Sequence, residues 1–214
     1  MESADLLRRN SETVYSFGKG HILFHQGLPC TGVFYVVKGT VKVFSTEDNG
    51  LELIHELLTQ GSVAGLSCLF GNRPYAYSAE VLEAGQFVFL TTQDAHRLLR
   101  ESPETQEIFL AAIGDSLHAA YDRNSQLIKL RVRERMAQCL RHLGEKFGTP
   151  EGQDIRIRLR LNREEFASVL GVAPETAIRF ISEFKRRGLI SEEGQQLILH
   201  DQSGLSRIIS SEGS

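Results

Sequence analysis

The feature of this chain that most limits its possible folds is the regular spacing of glycine through its first 90 residues. Ten of the 19 glycines lie there, and short runs rich in β-branched and aromatic residues lie between them. Short strands divided this often by turn residues are typical of an antiparallel roll or sandwich, not of alternating strands and helices. Alternation along one run places Val33, Tyr35 and Val37 on one side of a strand and Phe34 and Val36 on the other. The runs HILF, VFYVV, TVKVF, ELIHELL, YSAEVLE and QFVFL therefore predict an N-terminal antiparallel β-roll of the jelly-roll type.

The composition becomes helical at Ser102, where a serine suits the helix cap, Pro103 the first helical position and Glu104 the positive helix end. From there to Gly144 only Gly114 interrupts a helical composition. Steps of four and three along this segment form a heptad seam, which favours pairing with the same helix of a second subunit. Packing of the helix on the β-roll of its own chain is the alternative. The predicted dimer seam consists of Ile113, Leu117, Ala120, Asn124 and Leu127, and the pattern continues to Arg131.

Two short helices joined by a glycine turn are predicted near the C-terminus. Asn162 and Glu165 can cap the first helix reciprocally, and Gly171 allows the left-handed turn that a sharp corner needs. Pro174 begins the second helix and Gly188 ends it. The strand-like run RIRLRL precedes this unit, and the runs LIS and QLILH follow it as a hairpin. The pattern predicts a winged helix-turn-helix, whose second helix enters the DNA major groove.

The second helix has one apolar face and one polar face. Arg179 can donate two hydrogen bonds to guanine, Glu175 can accept one from cytosine, and Ile178 can contact a thymine methyl. An ion pair between Glu175 and Arg179 is the alternative. The apolar face consists of Ala177, Phe180, Ile181 and Phe184, and the outward side chains are Glu175, Ile178, Arg179, Ser182 and Arg186. The candidate phosphate contacts are Arg163, Thr176, Lys185 and Arg187, for which a solvated charge or a packed hydroxyl is equally compatible.

Charge is divided unevenly along the chain. Residues 1–122 carry a net charge of −7 and residues 123–214 a net charge of +4, which predicts that only the second part meets a polyanion. No run approaches the roughly 20 apolar residues of a membrane helix, and the N-terminus lacks the pattern of a signal peptide. A cytoplasmic protein without a membrane partner is expected. Cys30, Cys68 and Cys139 are odd in number and widely spaced, which fits reduced thiols better than a disulfide framework or a zinc site.

Two other classes of protein fit the sequence less well. A metal-dependent jelly-roll enzyme needs a close pair of histidines with a carboxylate, and His21, His25 and His55 form no such pattern. We therefore expect no metal site, no catalytic residues and no enzyme activity. A nucleotide-sensing module that acts on a protein partner without DNA is disfavoured by the second C-terminal helix and the wing.

Several segments carry a family resemblance that spans nearly the whole chain. They are residues 20–24 with Gly27, residues 34–43, Gly61 with residues 65–70, Leu170 with Gly171, Glu175 with Thr176, Arg179, and residues 188–190. In these segments the chain resembles the cyclic-AMP receptor protein and fumarate-nitrate reduction regulator (CRP/FNR) superfamily of bacterial transcription regulators. The resemblance implies an α+β homodimer with a cyclic-nucleotide-binding-like β-roll at 1–104, a dimerisation helix at 105–132 and a winged helix-turn-helix at 133–214.

The resemblance also implies how such a chain acts. Its members bind double-stranded promoter DNA, recruit RNA polymerase and activate or repress transcription. Glu175 and Arg179 match the pair with which the family reads a G·C pair in each half-site. Pro174 departs from the family pattern, in which an arginine or a serine-like residue often precedes the glutamate, because proline cannot contact a base.

The family's effector pocket is implied at Leu66, Ser67, Cys68, Tyr77, Ser78 and Tyr121. In relatives that respond to cyclic AMP, an arginine stands at the place of Tyr77 and a glutamate follows the glycine where Leu66 does here. We therefore expect that cyclic AMP is not the effector in the usual way, with Arg73 as the alternative phosphate ligand. Either an unidentified, more apolar small molecule is the effector, or the pocket is empty or filled by side chains and DNA binding is constitutive. No cofactor is assigned, although a haem-binding gas sensor stays open because some relatives bind haem and His118 lies near the seam.

Overall fold

The computed structural model describes residues 14–48, 50–70 and 73–210. The chain divides into two compact units, Met1–Tyr121 and Asp122–Ser214. Among the described residues, every helix is too short or too polar to cross a lipid bilayer. The three-part division at 104/105 and 132/133 remains a prediction.

The first unit contains an antiparallel sheet, as the glycine spacing predicts. Its order is β1-β6-β3-β4, with β2 paired to β6 and β5 paired to β3. The strands are β1 (Val14–Phe17), β2 (Ile22–Phe24), β3 (Gly32–Thr46), β4 (Glu52–Leu58), β5 (Val63–Ala64) and β6 (Ser78–Thr91). Its helices are α1 (Leu66–Leu69) and α2 (Thr92–Glu101), and α3 (Pro103–Lys129) begins in this unit and continues past its last residue, Tyr121.

Four of the runs that we predicted as separate strands merge in pairs into two long strands. The runs VFYVV and TVKVF both lie in β3, and YSAEVLE and QFVFL both contribute to β6. A Cβ atom on Gly85 would lie 1.9 Å from the carbonyl oxygen of Lys38, and one on Gly39 would lie 2.7 Å from that of Glu83. The pairing register shifts on both sides of Lys38. These two glycines therefore allow two backbones to approach within a bend of the ladder, and do not form the turns that we predicted.

The long strand β3 is buried on both sides, and the predicted alternation is confirmed. Val33, Tyr35 and Val37 belong to a core cluster that includes Leu98 of α2 and Phe109 of α3. Phe34 and Val36 belong to a second cluster, here called the roll interior, which is rich in aromatic side chains. The roll interior contains Phe24, Phe34, Tyr75 and Phe87, with Cys30, Tyr77 and Phe89 packed against it.

Helix α3 begins as predicted, because Ser102 Oγ accepts a hydrogen bond from the amide of Thr105 at 3.1 Å. Ile113, the first residue of the predicted seam, packs instead against the core cluster of the roll. The face left exposed contains an apolar stripe, defined here by Leu110, Leu117, Tyr121 and Ile128, which are 52 to 76% exposed. Ala120 and Asn124 are also exposed, and the side chain of Leu127 lies outside the described residues.

The second unit has the predicted winged helix-turn-helix. Its sheet has the order β7-β8-β10-β9. The predicted strand at RIRLRL ends early, at Ile157, and a C-terminal helix was missed by the sequence analysis. The elements are α4 (Val132–Phe147), β7 (Gly148–Glu151), β8 (Asp154–Ile157), α5 (Arg163–Leu170), α6 (Pro174–Arg186), β9 (Ile190–Glu193), β10 (Gln196–Leu199) and α7 (Gln202–Ser210).

The cysteines correct an expectation. Cys30 and Cys68 form a disulfide whose Cα atoms are 5.8 Å apart, whereas Cys139 is free. The prediction of three reduced thiols is wrong for this pair. Their separation of 38 positions in the sequence concealed their proximity, because only the folding of the roll brings the segment before β3 against α1.

Candidate DNA-binding face and sensor interior

The corner between α5 and α6 is built by its own sequence. Asn162 Oδ1 accepts from the amide of Glu165 at 2.8 Å, and the Glu165 carboxylate accepts from the amide of Asn162 at 2.7 Å. Gly171 ends α5 with φ of 65°, in the left-handed region that favours glycine. Pro174 then occupies the first turn of α6. The predicted cap and turn are confirmed, and they fix the direction in which α6 leaves the corner.

Helix α6 is anchored by one face and open on the other. Ala177, Ile181 and Phe184 are at most 2% exposed, which confirms the predicted apolar side. Phe180, predicted to lie with them, is only half-buried. The opposite side, here called the reading face, presents Glu175, Ile178, Arg179, Ser182 and Arg186, all of which are exposed.

The two charged residues at the centre of the reading face are not paired with each other. The Arg179 guanidinium lies 5.2 Å from the centre of the Phe180 ring. Both Glu175 and Arg179 are described, and the structure records no ion pair between them. Their hydrogen-bonding groups are therefore directed to solvent, where a DNA base edge can replace water.

The candidate phosphate contacts have partners of their own. Arg163 donates twice to the Glu192 carboxylate, at 2.6 and 2.7 Å, and Lys185 donates to it at 3.1 Å. Arg187 lies 3.6 Å from Glu183, and Thr176 is half-buried. Glu192 belongs to the wing strand β9, 29 residues beyond Arg163, so no local pattern in the sequence could reveal this contact.

The environment of Glu192 favours its ionised form. Partial burial opposes ionisation, but the hydrogen bonds from Arg163 and Lys185 outweigh it, so the pKa of Glu192 lies below its ordinary value of 4.5. The two cations are consequently held in place beside the helix-turn-helix and half neutralised, with about two fifths of each side chain still exposed.

The residues assigned to the effector pocket separate into three environments. Cys68 and Ser78 are buried, and the Ser78 hydroxyl accepts from the amide of Gln26 at 3.0 Å. Leu66 points away from the roll interior, into the core cluster that contains Phe109. Ser67 and Tyr121 are exposed, Tyr121 to 67% on α3. The predicted set therefore does not line one cavity within the chain.

Tyr77, at the position where cyclic-AMP-responsive relatives have arginine, is bound to the backbone of its own roll. Burial raises the pKa of Tyr77, and its hydroxyl interacts with Ser67 and accepts from the amide of Gly65 at 3.4 Å. The alternative phosphate ligand, Arg73, is exposed.

Aromatic rings fill the roll interior. The Phe24 ring stacks on that of Tyr75 with centroids 4.0 Å apart, and it lies 6.0 Å from the ring of Tyr77. Phe34 and Phe89 approach to 4.7 Å. Stacked rings at these separations gain packing energy from one another and leave little space for a polar ligand.

The residues around His118 do not fit a haem. Haem iron bound by histidine needs an enclosed pocket around the macrocycle, whereas the His118 side chain is exposed on α3. Within the described ranges, no group of three His, Cys, Asp or Glu side chains could hold a metal ion.

Two family models match the chain, one in each of its two compact units. A family model for the cyclic nucleotide-binding domain matches residues 14–102, and one for the Crp-like helix-turn-helix domain matches residues 134–208. The chain is 30% identical over 183 residues to the transcriptional activator protein anr of Pseudomonas aeruginosa, covering 86% of this chain and 75% of that protein.

Two further similarities extend over most of the chain. The CRP-like cAMP-activated global transcriptional regulator of Mycobacterium tuberculosis is 27% identical over 191 residues, which cover 89% of this chain and 85% of that protein. A solved transcriptional regulator of the CRP/FNR family from Thermus thermophilus superposes with a TM-score of 0.80 at 25% identity. That superposition covers 94% of this chain and all of the other.

Proposed function

The chain belongs to the CRP/FNR family of transcription regulators, and on that premise we propose that it is a homodimer that reads a two-fold symmetric promoter site through α6. One observation carries the proposal. Glu175, Ile178 and Arg179 are exposed side by side on a helix whose opposite face is buried, so the geometry of base contact is set before DNA binds.

The apolar stripe of α3 supports the dimer. Leu110, Leu117, Tyr121 and Ile128 follow one another at steps of seven, four and seven, the spacing of a coiled-coil seam. Large apolar side chains exposed in a row are unfavourable in water, and a second copy of α3 would cover them. The seam that we propose is rotated from the predicted one, because Ile113 is already packed on the roll.

The roll interior supports an effector other than cyclic AMP. Recognition of a cyclic phosphate requires a fixed cation, and arginine provides one with a planar set of donors. Tyr77 stands at that position here, its hydroxyl directed to Gly65 and Ser67. The M. tuberculosis relative is cAMP-activated by its name, and the sensor chemistry proposed for this chain differs from that of the relative.

The remaining partners follow from promoter binding. Double-stranded DNA is the direct ligand of the second unit, RNA polymerase is the proposed protein partner at the promoter, and the cytoplasm is the proposed location. We assign no catalytic residue and no cofactor to the chain.

Selection of bound fragments from a pool of genomic DNA tests the proposal. The wild-type protein is expected to enrich fragments that share an inverted repeat with half-sites about one helical turn, ~34 Å, apart. A variant with Glu175→Ala and Arg179→Ala is expected to lose this enrichment while retaining weak, sequence-independent binding. Equal enrichment by both proteins, or fragments without a shared motif, would overturn the assignment of the reading face.

A further inference from the structure

We propose that Cys30 and Cys68 are a redox-active pair, a modification site through which peroxides act on the sensor roll. The two residues are joined in a disulfide with Cα atoms 5.8 Å apart, within the range of about 4.4–6.8 Å that the bond requires. Disulfides of intracellular proteins are uncommon, and those that occur are mostly catalytic or redox-sensing. The effect on DNA that is developed below rests on the proposed DNA-binding function.

The two sulfurs differ in their access to solvent. Cys68 is 2% exposed, whereas Cys30 is half-buried at the margin of the roll interior. A peroxide therefore reaches Cys30 first. The carbonyl oxygen of Gly65 lies 3.0 Å from the Cys68 sulfur, so the reduced thiol has a hydrogen-bond acceptor in place. The same surroundings accommodate both redox states of Cys68.

The oxidation balances with one peroxide. The Cys30 thiolate attacks one oxygen of hydrogen peroxide, the O–O bond breaks, and a sulfenic acid and water form with the thiol proton. The Cys68 sulfur then displaces the sulfenic oxygen, which leaves as a second water with the second thiol proton. Two electrons pass from the sulfurs to the peroxide, and a dithiol reductant reverses the step by exchange.

Reduction opens one connection and leaves others intact. The Tyr75 hydroxyl donates to the carbonyl of Gly32 at 2.8 Å and accepts from the amide of Gly32 at 3.2 Å, which fastens the segment that carries Cys30. The Tyr77 hydroxyl accepts a hydrogen bond from the amide of Gly65, which directly precedes the helix that carries Cys68. The roll is therefore held together without the disulfide, and the change on reduction begins at α1.

Helix α1 connects the disulfide to the apolar stripe. Cys68 faces the roll interior, whereas its neighbours Leu66 and Leu69 belong to the core cluster that contains Phe109 of α3. Ile113 of α3 packs against the same cluster. Release of Cys68 from Cys30 therefore alters the packing beneath the helix that carries the stripe.

Cys139 provides an internal contrast. It is half-buried in α4, and burial raises the pKa of its thiol to about 12. Of the three cysteines, all of which the structure describes, Cys139 is the free one, so its removal leaves the Cys30–Cys68 bond in place. A Cys139→Ser variant is consequently the matched control for loss of one thiol.

The chemistry is tested by counting thiols on the full-length protein. The protein is reduced with dithiothreitol, desalted, exposed to hydrogen peroxide, then denatured, alkylated with N-ethylmaleimide and weighed by mass spectrometry. The count is expected to fall from three adducts to one in the wild type, and from two to none in Cys139→Ser. Cys30→Ser and Cys68→Ser are expected to form no intramolecular disulfide. An unchanged count in the wild type would overturn the proposal.

The regulatory effect is tested by fluorescence anisotropy with a selected DNA fragment. Oxidised and reduced wild type are expected to differ in Kd by about fivefold or more, the lower end of typical allosteric coupling. Cys139→Ser is expected to show the same difference and Cys30→Ser none. Equal affinities of the two wild-type forms, with the disulfide formed, would overturn a regulatory role. If neither form binds selected DNA while the thiol count still falls, the redox pair is supported and the proposed DNA-binding function is what fails.

Discussion

The reading face of α6 and the roll interior are opposites in their readiness for a ligand. On α6, Glu175 and Arg179 match the family pattern and present their polar groups to solvent. In the roll, the Tyr77 hydroxyl is bound to the amide of Gly65, and the rings of Phe24 and Tyr75 stack in the interior. One chain therefore combines a helix face open to solvent with a roll interior filled by aromatic rings.

The difference shows that the two functions are carried by different kinds of residue. Residues that contact DNA need exposure and a rigid helix, and both can be read from local sequence. A small-molecule site needs an enclosed space, and this depends on how distant side chains fill the roll. Similarity to a cyclic-AMP-activated relative consequently says more about the DNA side of this chain than about its sensor side.

The largest effect is expected from the apolar stripe, on which the use of two reading faces depends. Leu117→Glu with Ile128→Glu would place unpaired charges in the proposed seam, so we expect monomers in sedimentation experiments. Loss of the second half-site should weaken specific DNA binding by about 10²- to 10⁴-fold. Both residues are exposed within the chain, at 52% and 76%, so the fold of the protomer should survive.

Ala111→Glu with Lys129→Glu is the matched control, because both residues are exposed on α3 about a quarter turn from the stripe. This control should remain dimeric. A dimer in the Leu117 and Ile128 variant would show that another surface holds the copies together.

The next largest effect concerns the sensor side. The charged phosphate and ribose contacts that the interior lacks are worth about 1.5–3 kcal/mol each. Binding of cyclic AMP or cyclic GMP should therefore weaken from micromolar toward millimolar. Calorimetric titration measures this, with the M. tuberculosis relative as the positive control. A micromolar Kd for either nucleotide would remove the contrast between the two regions.

A smaller effect is expected from a single base contact. Arg179→Ala should cost about 1–3 kcal/mol of binding free energy and relax the preference at one G·C pair of each half-site. Arg207→Ala is the control, because Arg207 carries the same charge on α7, is 72% exposed and pairs with Asp201 at 3.1 Å. Equal losses in both variants would indicate general electrostatics and no base reading.

The smallest effect concerns the ion pairs of the wing. Glu192→Gln releases Arg163 and Lys185 for phosphate contacts, so DNA affinity should rise by less than about 1 kcal/mol, the value of an exposed ion pair. The salt dependence should steepen by about 0.9 for each additional phosphate that the protein neutralises. Glu193→Gln removes the same charge from β9 while Arg156 stays paired with Glu151 at 2.6 Å, so it is the control. Unchanged salt dependence would argue against Arg163 and Lys185 as phosphate contacts.

The effect of Glu192→Gln on stability should also depend on pH. The pKa of Glu192 is lowered in the folded protein, so its ionised form stabilises the fold above the ordinary pKa of 4.5. This stabilisation is lost as the pH falls through the lower, folded-state pKa. The difference in unfolding free energy between wild type and Glu192→Gln, measured by urea titration, should therefore shrink only below pH 4.5. A difference that stays constant across that range would contradict the lowered pKa.

Local signals in the sequence predicted much of this architecture. The Asn162 cap, the Gly171 turn and the alternation along β3 depend on neighbouring residues, and the structure confirms all three. The sequence did not predict that four runs merge into two long strands. Glycine is common in turns, but Gly39 and Gly85 instead lie where two backbones approach each other closely. The antiparallel roll and the helix-turn-helix could thus be predicted, and the exact strands could not.

Long-range contacts account for what was missed in the site. The Cys30–Cys68 disulfide, the pairing of Arg163 with Glu192 and the packing of Ile113 on the roll all join residues far apart in sequence. Leu66 was assigned to the effector pocket by its position after Gly65, but α1 turns its side chain toward α3. Helical periodicity predicted an apolar seam on α3, but it could not show which face of α3 packs on the roll.

The division of labour on α6 has an evolutionary consequence. Ala177, Ile181 and Phe184 hold the helix in its unit, whereas Glu175, Ile178 and Arg179 contribute nothing to that buried side. Substitutions at exposed positions usually change stability by less than about 0.5 kcal/mol, so selection for folding leaves these positions nearly unconstrained. If α6 reads promoters as proposed, a duplicated copy of this regulator can acquire new target sites by changing a few of these exposed residues at little cost in stability.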